Sequence, residues 1–292
     1  MDIESSYHPE KFANALPGDL ELLRYIKKAA DNIKRKLEHL DNWGPSGKKT
    51  GQYCCDLVAD EAALEVLLGA GLDVFSEESG LTRGSGLTAP SIKNSTLAEP
   101  PPGSVTDSTE PPSNSSRLVA VLDPVDGSTN ASRRIPWWAT SIAIVDEEGP
   151  RVALVVNQAT GKSYETIRGQ GAFLGAERLR PSNKSALSQS IIGVSGYPSS
   201  HFGWNQFRAL GAAALDLASV AEGVLDGYLD CTKGSLAPWD YLGGYLLCVE
   251  AGAYVSELHD RDLFELEYNT RRAPIAASTP QLLDELTRAA RL

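Results

Sequence analysis

The amino-acid sequence predicts an α+β fold. Leu, Ile and Ala residues recur at helical spacing over residues 19–40, which indicates a long helix near the start. The continuous apolar run at residues 118–122 reads as a buried strand, and strands of antiparallel character, separated by glycines, follow it. A second half with mixed strands and helices completes the pattern.

The composition is that of a folded, water-soluble protein. Of the 292 residues, 42% are hydrophobic and 22% are charged. The formal net charge of −11 disfavours direct nucleic-acid binding, which depends on cationic surface. No apolar run approaches the length of a membrane span, and the polar N-terminus lacks a signal-peptide core, so we expect a cytoplasmic protein. The four cysteines show neither a disulfide framework nor zinc spacing.

Two helices are predicted before the first strand. The first covers residues 19–40, with Asp19 as its N-cap, and the second covers residues 56–68, with Asp60 near its start. The glycine-rich residues 43–52 between them predict a solvated loop.

A short strand at residues 72–76 is expected to deliver Glu77 and Glu78. Residues 84–117, which follow it, are rich in Pro, Ser, Thr and Gly and almost free of large apolar side chains. Such a segment has too little apolar surface to order itself, so we interpret it as a long surface insert between two strands.

Residues 118–130 carry the strongest chemical signal. The strand is expected to stop at Asp123, because Pro124 cannot donate to a sheet ladder. Gly127 permits a tight turn, and the three residues after it are types that cap helices. Asp123 and Asp126 would then converge as hard oxygen ligands suited to Mg²⁺, beside N–H groups that attract phosphate. Taken alone, the same letters also describe an ordinary polar turn.

The rest of the chain alternates between predicted strands and helices. The strands are expected at residues 137–145, 151–156, 162–167, 171–174, 190–195, 224–230, 254–258 and 274–277. The helices are expected at residues 211–221, 239–250 and 280–292.

Three acidic stretches each fall at a strand end or a helix start: Glu77 with Glu78, Asp123 with Asp126, and Asp240. A hydrolase that uses two Mg²⁺ ions needs about this many oxygen ligands. Each stretch alone has an ordinary explanation, as a solvated pair, a turn or an N-cap.

Several motifs, in order, resemble those of the inositol monophosphatase family, which belongs with fructose-1,6-bisphosphatase to a Mg²⁺-dependent, lithium-sensitive superfamily. They are SEES at 76–79, DPVDGSTN at 123–130 and PWDYLGG at 238–244. Weaker similarity comes from VAD at 58–60, RALGAAALDLA at 208–218 and EAGAYV at 250–255.

The resemblance implies a five-layered αβαβα sandwich. It also implies an N-terminal half over residues 1–146 with the metal motifs, and a C-terminal half over residues 147–292 that completes the site with Asp240. We place the division near residues 146–150. A homodimer is usual in the family, and the expected partner is a small phosphorylated metabolite, with neither nucleic acid nor membrane.

The resemblance also implies two or three Mg²⁺ ions. Glu77, Asp123 and the carbonyl of Val125 resemble the ligands of the first metal, whereas Asp123, Asp126 and Asp240 resemble those of the second. Glu77 and Ser128 resemble the catalytic pair that deprotonates the attacking water. Asp60 resembles an acid near a third, weaker metal, and we count it as catalytic.

The substrate positions follow from the same resemblance. Gly127, Ser128 and Thr129 resemble the backbone that binds phosphate, and Gly211, Ala212, Ala213 and Asp230 resemble the residues that meet the alcohol.

The expected activity is hydrolysis of a small phosphomonoester, with inositol 1-phosphate as the first candidate. Fructose 1,6-bisphosphate, histidinol phosphate and 3′-phosphoadenosine 5′-phosphate are the alternative substrates. A regulatory binding protein is the alternative from another class. Asp230 stands where many inositol enzymes have glutamate, and Tyr241 and Leu242 replace small residues of the motif, which leaves the specificity open.

Overall fold

The computed structural model describes residues 9–85, 117–232 and 234–291. Most of the predicted insert, residues 86–116, lies outside the described residues. The helices are α1 (Pro17–Glu38), α2 (Cys54–Gly69), α3 (Ser128–Ser132), α4 (Ala213–Glu222), α5 (Pro238–Ala251) and α6 (Pro280–Arg291). Short 3-10 turns lie at Pro9–Phe12 and Leu187–Gln189. Within the described ranges, no helix is long and apolar enough to cross a membrane.

The strands form two sheets. The first sheet holds β1 (Asp73–Ser76), β2 (Gly80–Thr82), β3 (Val119–Asp126), β4 (Ala139–Asp146), β5 (Gly149–Asn157), β6 (Ser163–Ile167), β7 (Gly171–Leu174) and β8 (Glu177–Arg178), in the order β2-β1-β3-β4-β5-β6-β7-β8. The second holds β9 (Ile191–Ser195), β10 (Gln206–Arg208), β11 (Gly227–Asp230), β12 (Tyr254–Glu257) and β13 (Pro274–Ala277), in the order β10-β9-β11-β13-β12. In the first sheet β1 and β3 are parallel, and the other pairs are antiparallel.

Five layers alternate through the molecule, as predicted. Helices α1 and α2 pack on one face of the first sheet, where Leu122 joins their core. Because successive strand residues face opposite sides, Val121 belongs instead to the core that α4 and α5 share with both sheets. Helix α6 covers the outer face of the second sheet through Leu282 and Leu286. The order is therefore helices, sheet, helices, sheet, helix.

Two glycines hold α5 tightly in the middle layer. A Cβ at Gly244 would lie 2.5 Å from the Cβ of Leu217 on α4, and a Cβ at Gly243 would lie 2.6 Å from Ser141 Oγ on β4. Any larger side chain at either position would therefore push the helix away from its neighbours. This close packing fixes the N-terminal end of α5, where Asp240 lies, against the first sheet.

Strand β3 continues through Pro124, contrary to the prediction that it stops at Asp123. It runs to Asp126, and its register against β4 shifts between Asp123 and Asp126. Proline is tolerated at such an irregularity because no ladder donor is needed there. The Pro124 carbonyl accepts a hydrogen bond from Thr140 Oγ1 at 2.9 Å, which ties the irregular segment to β4.

Two predicted helix caps are wrong. Helix α1 begins one turn earlier, with Leu16 as its N-cap, because proline fits the first helical positions. Asp19 lies in the first turn, where its Oδ1 accepts a hydrogen bond from Arg151 Nε at 2.6 Å. Helix α3 has Gly127 as its N-cap, at a φ of 85°, rather than a side-chain cap from residues 128–130.

The predicted division near residues 146–150 stays a prediction. That position is the turn between β4 and β5, which pair side by side in the first sheet. The change from the first sheet to the second occurs later, between Arg178 and Ile191.

Candidate active site

The irregular end of β3 places two carboxylates in the interior. Asp123 is 1% exposed and Asp126 is 8% exposed. Asp123 Oδ1 accepts a hydrogen bond from the Val125 N–H at 3.0 Å. Asp126 accepts from the N–H groups of Ala213 and Ala214, at 3.2 and 2.7 Å. The first turn of α4 therefore fixes the side chain of Asp126.

Glu77 reaches the same place from the neighbouring strand. Since β1 and β3 are parallel, their carboxyl ends meet at one edge of the sheet. The Glu77 N–H donates to the Leu122 carbonyl at 3.2 Å, and its own carbonyl accepts from the Tyr268 hydroxyl at 2.8 Å. The backbone of Glu77 is thus held on both sides.

Asp240 enters from the N-terminus of α5. Its Oδ2 accepts a hydrogen bond from the Ala237 N–H at 2.6 Å. An acidic residue in a first turn is favoured by the helix dipole, so the helix supports a charge at this position.

The four carboxyl groups repel one another in a buried environment. Burial raises the pKa values of Glu77, Asp123 and Asp126 well above their usual range, and the neighbouring carboxylates raise them further. Burial also raises the pKa of Asp240, to about 6, against the lowering effects of the Ala237 N–H and of Arg271. These acids therefore favour their protonated, neutral forms unless a positive charge is brought to the site.

This donor set fits a divalent cation. In the described ranges, no Lys or Arg forms an ion pair with Glu77, Asp123, Asp126 or Asp240. Carboxylate oxygens are the ligands that Mg²⁺ prefers. No three His, Cys, Asp or Glu side chains among the described residues already converge at the spacing of a metal shell. The carboxylates are thus gathered at one site without forming a closed coordination sphere.

A cavity of about 290 Å³ opens onto this cluster. Its lining combines acids, small polar residues and an aromatic wall: Lys49, Thr50, Gly51, Gln52, Asp56, Glu77, Glu78, Ser128, Ser235, Ala237, Trp239, Asp240, Tyr268 and Arg271. A larger cavity, of about 640 Å³, lies beside α3 and is lined by Trp43, Arg134 and Trp138 among others. Asp41 is the one carboxylate in its lining, so we place the chemistry in the smaller cavity.

Asp56 is a candidate site residue that the sequence analysis did not single out. It lies in the first turn of α2, lines the cavity, and raises the pKa values of Glu77 and Asp123 through its charge. Burial raises its own pKa to about 6. Asp60, one turn further along α2, is not among the lining residues. Its buried carboxylate accepts hydrogen bonds from the hydroxyls of Ser76 and Ser79. The i, i+4 spacing of Asp56 and Asp60 was the available signal, since both lie on one helix face.

The predicted phosphate and alcohol positions come together around Gly127. A Cβ there would lie 2.9 Å from the Gly211 carbonyl oxygen and 3.2 Å from the Ala212 Cβ, so the two segments touch. Ser128 lines the cavity, whereas the Thr129 hydroxyl lies 3.1 Å from the hydroxyl of Tyr53.

Asp230 lies at the end of β11, in the second sheet. It is 1% exposed, and its Oδ1 accepts a hydrogen bond from the Thr232 N–H at 2.8 Å. Its Oδ2 is buried without a hydrogen-bond partner, and its charge raises the pKa of Asp240. The structure therefore brings Asp230 near the carboxylate cluster.

The acidic cluster predicts how metal-free stability depends on pH. The pKa values of Asp56 and Asp240 are about 6 in the folded protein, against roughly 4 when unfolded. Between these values the folded protein binds more protons, so the free energy of unfolding falls as pH rises.

We therefore expect the Tm in EDTA to fall from about pH 4 to about pH 6, and Mg²⁺ to raise it more at the higher pH. Differential scanning fluorimetry checks this, with Asp240→Asn as the variant whose Tm should depend less on pH. If adding Mg²⁺ leaves the Tm unchanged at neutral pH, the expectation is wrong.

Comparison with known proteins gives a consistent match. The sequence profile described as the Inositol monophosphatase family matches residues 74–291. A fructose-1,6-bisphosphatase of Pyrococcus furiosus is 29% identical over 245 residues, which are 82% of this chain and 82% of that protein. An inositol-1-monophosphatase of Mesorhizobium japonicum is 39% identical over 156 residues, 47% of this chain and 56% of that protein. The Nus factor SuhB of Escherichia coli K12 is 38% identical over 152 residues, 47% of this chain and 55% of that protein. In these last two comparisons, the chain spans little more than half the length of the relative.

Solved structures share the fold over nearly the whole chain. A hypothetical protein of Pyrococcus horikoshii, with similarities for inositol-1 monophosphatase, has a TM-score of 0.71 at 25% identity. The alignment covers 91% of this chain and 98% of that chain. An extragenic suppressor from Pyrococcus furiosus has a TM-score of 0.68 at 26% identity and covers 90% of this chain and 99% of its own.

Proposed function

Because the chain belongs to the inositol monophosphatase family, we propose that it is a Mg²⁺-dependent phosphatase that hydrolyses a small phosphomonoester, with inositol 1-phosphate as the first candidate. The observation that carries the proposal is the group of four carboxylates, Glu77, Asp123, Asp126 and Asp240, of which Asp123 and Asp126 are buried while Glu77 and Asp240 line the cavity. None of the four forms an ion pair with a Lys or Arg of the described ranges. Such a group needs positive charge, and the phosphate of a substrate needs it as well.

Two sets of ligands would hold the metal. The first set comprises Glu77, Asp123 and the carbonyl of Val125, and the second comprises Asp123, Asp126 and Asp240. A divalent ion bound there lowers the pKa of water and neutralises charge on the phosphate and on the departing alcohol.

Other groups of the chain act on the attacking water, on the phosphate and on the alcohol. Glu77, whose pKa is raised by burial, accepts the proton of the attacking water, and the Ser128 hydroxyl orients that water. The backbone N–H groups of residues 127–129 donate to the phosphate oxygens. They stabilise the negative charge of the phosphate in a protein whose own net charge is negative. The segment at residues 211–213 and Asp230 orient the alcohol, a proposal supported by the contact between Gly127 and Gly211.

Asp56 is a stronger candidate than Asp60 for a weaker third metal. Asp56 lines the cavity, whereas hydroxyl groups already surround the carboxylate of Asp60. We keep Asp60 as a supporting residue that holds the end of β1 through Ser76.

Two other candidates have support from the comparisons. Fructose 1,6-bisphosphate is favoured by the relative that aligns over 82% of both chains. A regulatory binding role is favoured by the similarity to Nus factor SuhB.

A substrate panel tests the proposal. Phosphate release is measured from inositol 1-phosphate, fructose 1,6-bisphosphate, histidinol phosphate and 3′-phosphoadenosine 5′-phosphate, with Mg²⁺ and with EDTA. We expect Mg²⁺-dependent release from at least one substrate. If the folded protein releases phosphate from none of the four substrates, the regulatory binding role becomes the better supported hypothesis.

Lithium sensitivity gives an independent check. Li⁺ is a small, hard cation that takes oxygen ligands. We therefore expect millimolar LiCl to inhibit phosphate release, because Li⁺ would bind at Asp123, Asp126 and Asp240. The bulky residues of the motif do not obstruct that site, because Tyr241 and Leu242 are both fully buried in the core. Activity is measured against rising LiCl with matched NaCl, and equal effects of the two salts would refute the expectation.

A further inference from the structure

The loop that leads from β11 into α5 carries hydroxyl groups to which the site described above gives no role. Ser235 belongs to this loop, and its exposed side chain lines the active-site cavity. The same cavity is lined by Glu77 and Asp240, two of the proposed metal ligands. A molecule bound in this cavity would therefore meet the Ser235 hydroxyl.

A short chain of hydrogen bonds connects Ser235 with a buried carboxylate. Ser235 Oγ contacts Thr232 Oγ1, and Thr232 Oγ1 donates in turn to Asp230 Oδ1. The backbone N–H of Thr232 donates to the same carboxylate oxygen at 2.8 Å. Asp230 is itself 1% exposed and is not among the residues that line the cavity. Its carboxylate is therefore connected to the cavity through the two hydroxyl groups.

The carboxylate fixes the direction of this chain of hydrogen bonds. A carboxylate oxygen accepts hydrogen bonds, and a hydroxyl group has a single proton to donate. Because Thr232 donates its proton to Asp230, its oxygen accepts the proton of Ser235. The lone pairs of Ser235 Oγ then remain available to a ligand as an acceptor. Successive hydrogen bonds of this kind polarise one another, which strengthens the acceptor at the end of the chain.

The backbone on both sides of Ser235 is held by the surrounding structure. Gly234 has a φ of 81°, and a Cβ at this position would lie 2.9 Å from Arg261 Nη2. Leu236 exchanges two backbone hydrogen bonds with Arg272, at 3.3 and 2.7 Å. The Ser235 hydroxyl is thus positioned before any ligand arrives.

A turn alone does not account for this arrangement. Asp230 Oδ1 and the Thr232 N–H form the contact of an Asx-turn, which is a common way to begin a loop. Such a turn needs neither the Thr232 hydroxyl nor Ser235. A Cβ at Gly196 would overlap the Thr232 methyl group, so the glycine leaves room for the side chain that joins Asp230 to Ser235. A ligand that meets Ser235 explains both hydroxyl groups.

We propose that Ser235 is a specificity-determining residue that accepts a hydrogen bond from a hydroxyl group on the alcohol half of the substrate. Thr232 and Asp230 are positioning residues that act through Ser235, so the Asp230 carboxylate orients the alcohol without touching it. The proposal rests on the phosphatase function proposed above and identifies the chemical group that this wall of the cavity selects. An alcohol with a hydroxyl group at this point is preferred over an alcohol of similar shape without one.

Two substrates of similar shape test the proposal in the full chain. Inositol 1-phosphate and cyclohexyl phosphate share a carbon ring and a phosphate ester, but the second has no hydroxyl group on its ring. We measure kcat/KM for both with Mg²⁺ in wild type and Ser235→Ala. The ratio of inositol 1-phosphate to cyclohexyl phosphate should fall about threefold to tenfold in Ser235→Ala, since one hydrogen bond is lost. The values for cyclohexyl phosphate should stay at those of wild type, because this substrate has no proton to donate.

Thr232→Val separates the chain of hydrogen bonds from the contact itself. Valine keeps the shape of threonine and the N–H that donates to Asp230, and it removes the hydroxyl that orients Ser235. We expect the ratio to fall in the same direction by a smaller factor. Ser188→Ala, at an exposed position of the second 3-10 turn, is the matched control and should keep the wild-type ratio. A ratio that is unchanged in Ser235→Ala overturns the proposal, and a ratio that is unchanged in Thr232→Val alone overturns the positioning role of Thr232.

A binding measurement makes the test independent of turnover. Isothermal titration calorimetry with Mg²⁺ uses the phosphonate analogues of both substrates, whose C–P bond resists hydrolysis. Ser235→Ala should lower the affinity for the inositol phosphonate about threefold to tenfold and leave that for cyclohexyl phosphonate unchanged. If wild type binds the two phosphonates equally, or binds neither, the subsite is overturned even if the protein is a phosphatase. Loss of the preference in Ser235→Ala supports the subsite even if the protein releases phosphate from none of the panel substrates.

Discussion

Asp123→Asn should abolish phosphatase activity and leave the fold intact. Asp123 belongs to both proposed metal-ligand sets, so the substitution weakens both at once while keeping the side-chain shape. The amide oxygen can still accept the hydrogen bond that Asp123 Oδ1 takes from the Val125 N–H. If about 4 kcal/mol of transition-state stabilisation is lost, kcat/KM falls by roughly 10³-fold.

The same substitution should not destabilise the metal-free protein. Burial and neighbouring carboxylates raise the pKa of Asp123 well above its usual range, so the removal of its charge relieves repulsion. We therefore expect an unchanged or higher Tm in EDTA, together with a smaller rise in Tm on adding Mg²⁺.

Circular dichroism, melting curves with and without Mg²⁺, and phosphate release measure the outcome. Asp284→Asn is a matched control, because it makes the same chemical change on the exposed face of α6, where the ion pair with Arg288 is open to water. Near-normal turnover in Asp123→Asn would remove this residue from the proposed site.

The sequence analysis could point to the centre of the site because its acids lie near the ends of regular elements. Asp123 and Asp126 lie in the irregular last part of β3 and Asp240 in the first turn of α5, and the structure brings these three acids together with Glu77. Apolar periodicity predicted most of the strands and helices, whereas their arrangement in five layers followed from the resemblance to the inositol monophosphatase family.

Local irregularity was harder to predict. Pro124 reads as the end of a strand, yet β3 absorbs it in a register shift and continues to Asp126. The pairing with β4, through Thr140, decides this outcome, and a single-strand pattern contains no information about that partner. Three-residue strands such as β2 and β10 are also too short to show a period.

Tertiary contacts explain the remaining omissions. Arg271 lies in an irregular segment, and its position depends on Trp239 and Tyr268, which pack together only in the folded chain. Asp56 and Asp60 share one face of α2, and only the arrangement of β1 shows that Asp56 lines the cavity while Ser76 meets Asp60.

Glu165→Gln should cause a large decrease in the free energy of unfolding. Glu165 lies on β6 and is 1% exposed, and it forms ion pairs with Lys11 and Lys27, whose side chains are 6% and 1% exposed. These contacts join the 3-10 turn at Pro9–Phe12 and helix α1 to the first sheet. The neutral amide leaves both buried ammonium groups without this counter-charge, and breaking a buried pair in this way costs about 3–5 kcal/mol.

Chemical denaturation with fluorescence detection measures the free energy of unfolding of Glu165→Gln against wild type. Arg288→Gln is the control, because it breaks an exposed pair and should change stability by less than about 1 kcal/mol. The triple variant Lys11→Met, Lys27→Met, Glu165→Leu separates charge from packing. It removes all three charges together, and buried pairs replaced by apolar side chains are often neutral in stability. We therefore expect the triple variant to be more stable than Glu165→Gln. If instead Glu165→Gln unfolds at the wild-type denaturant concentration, the buried charges do not hold the N-terminal segment to the sheet.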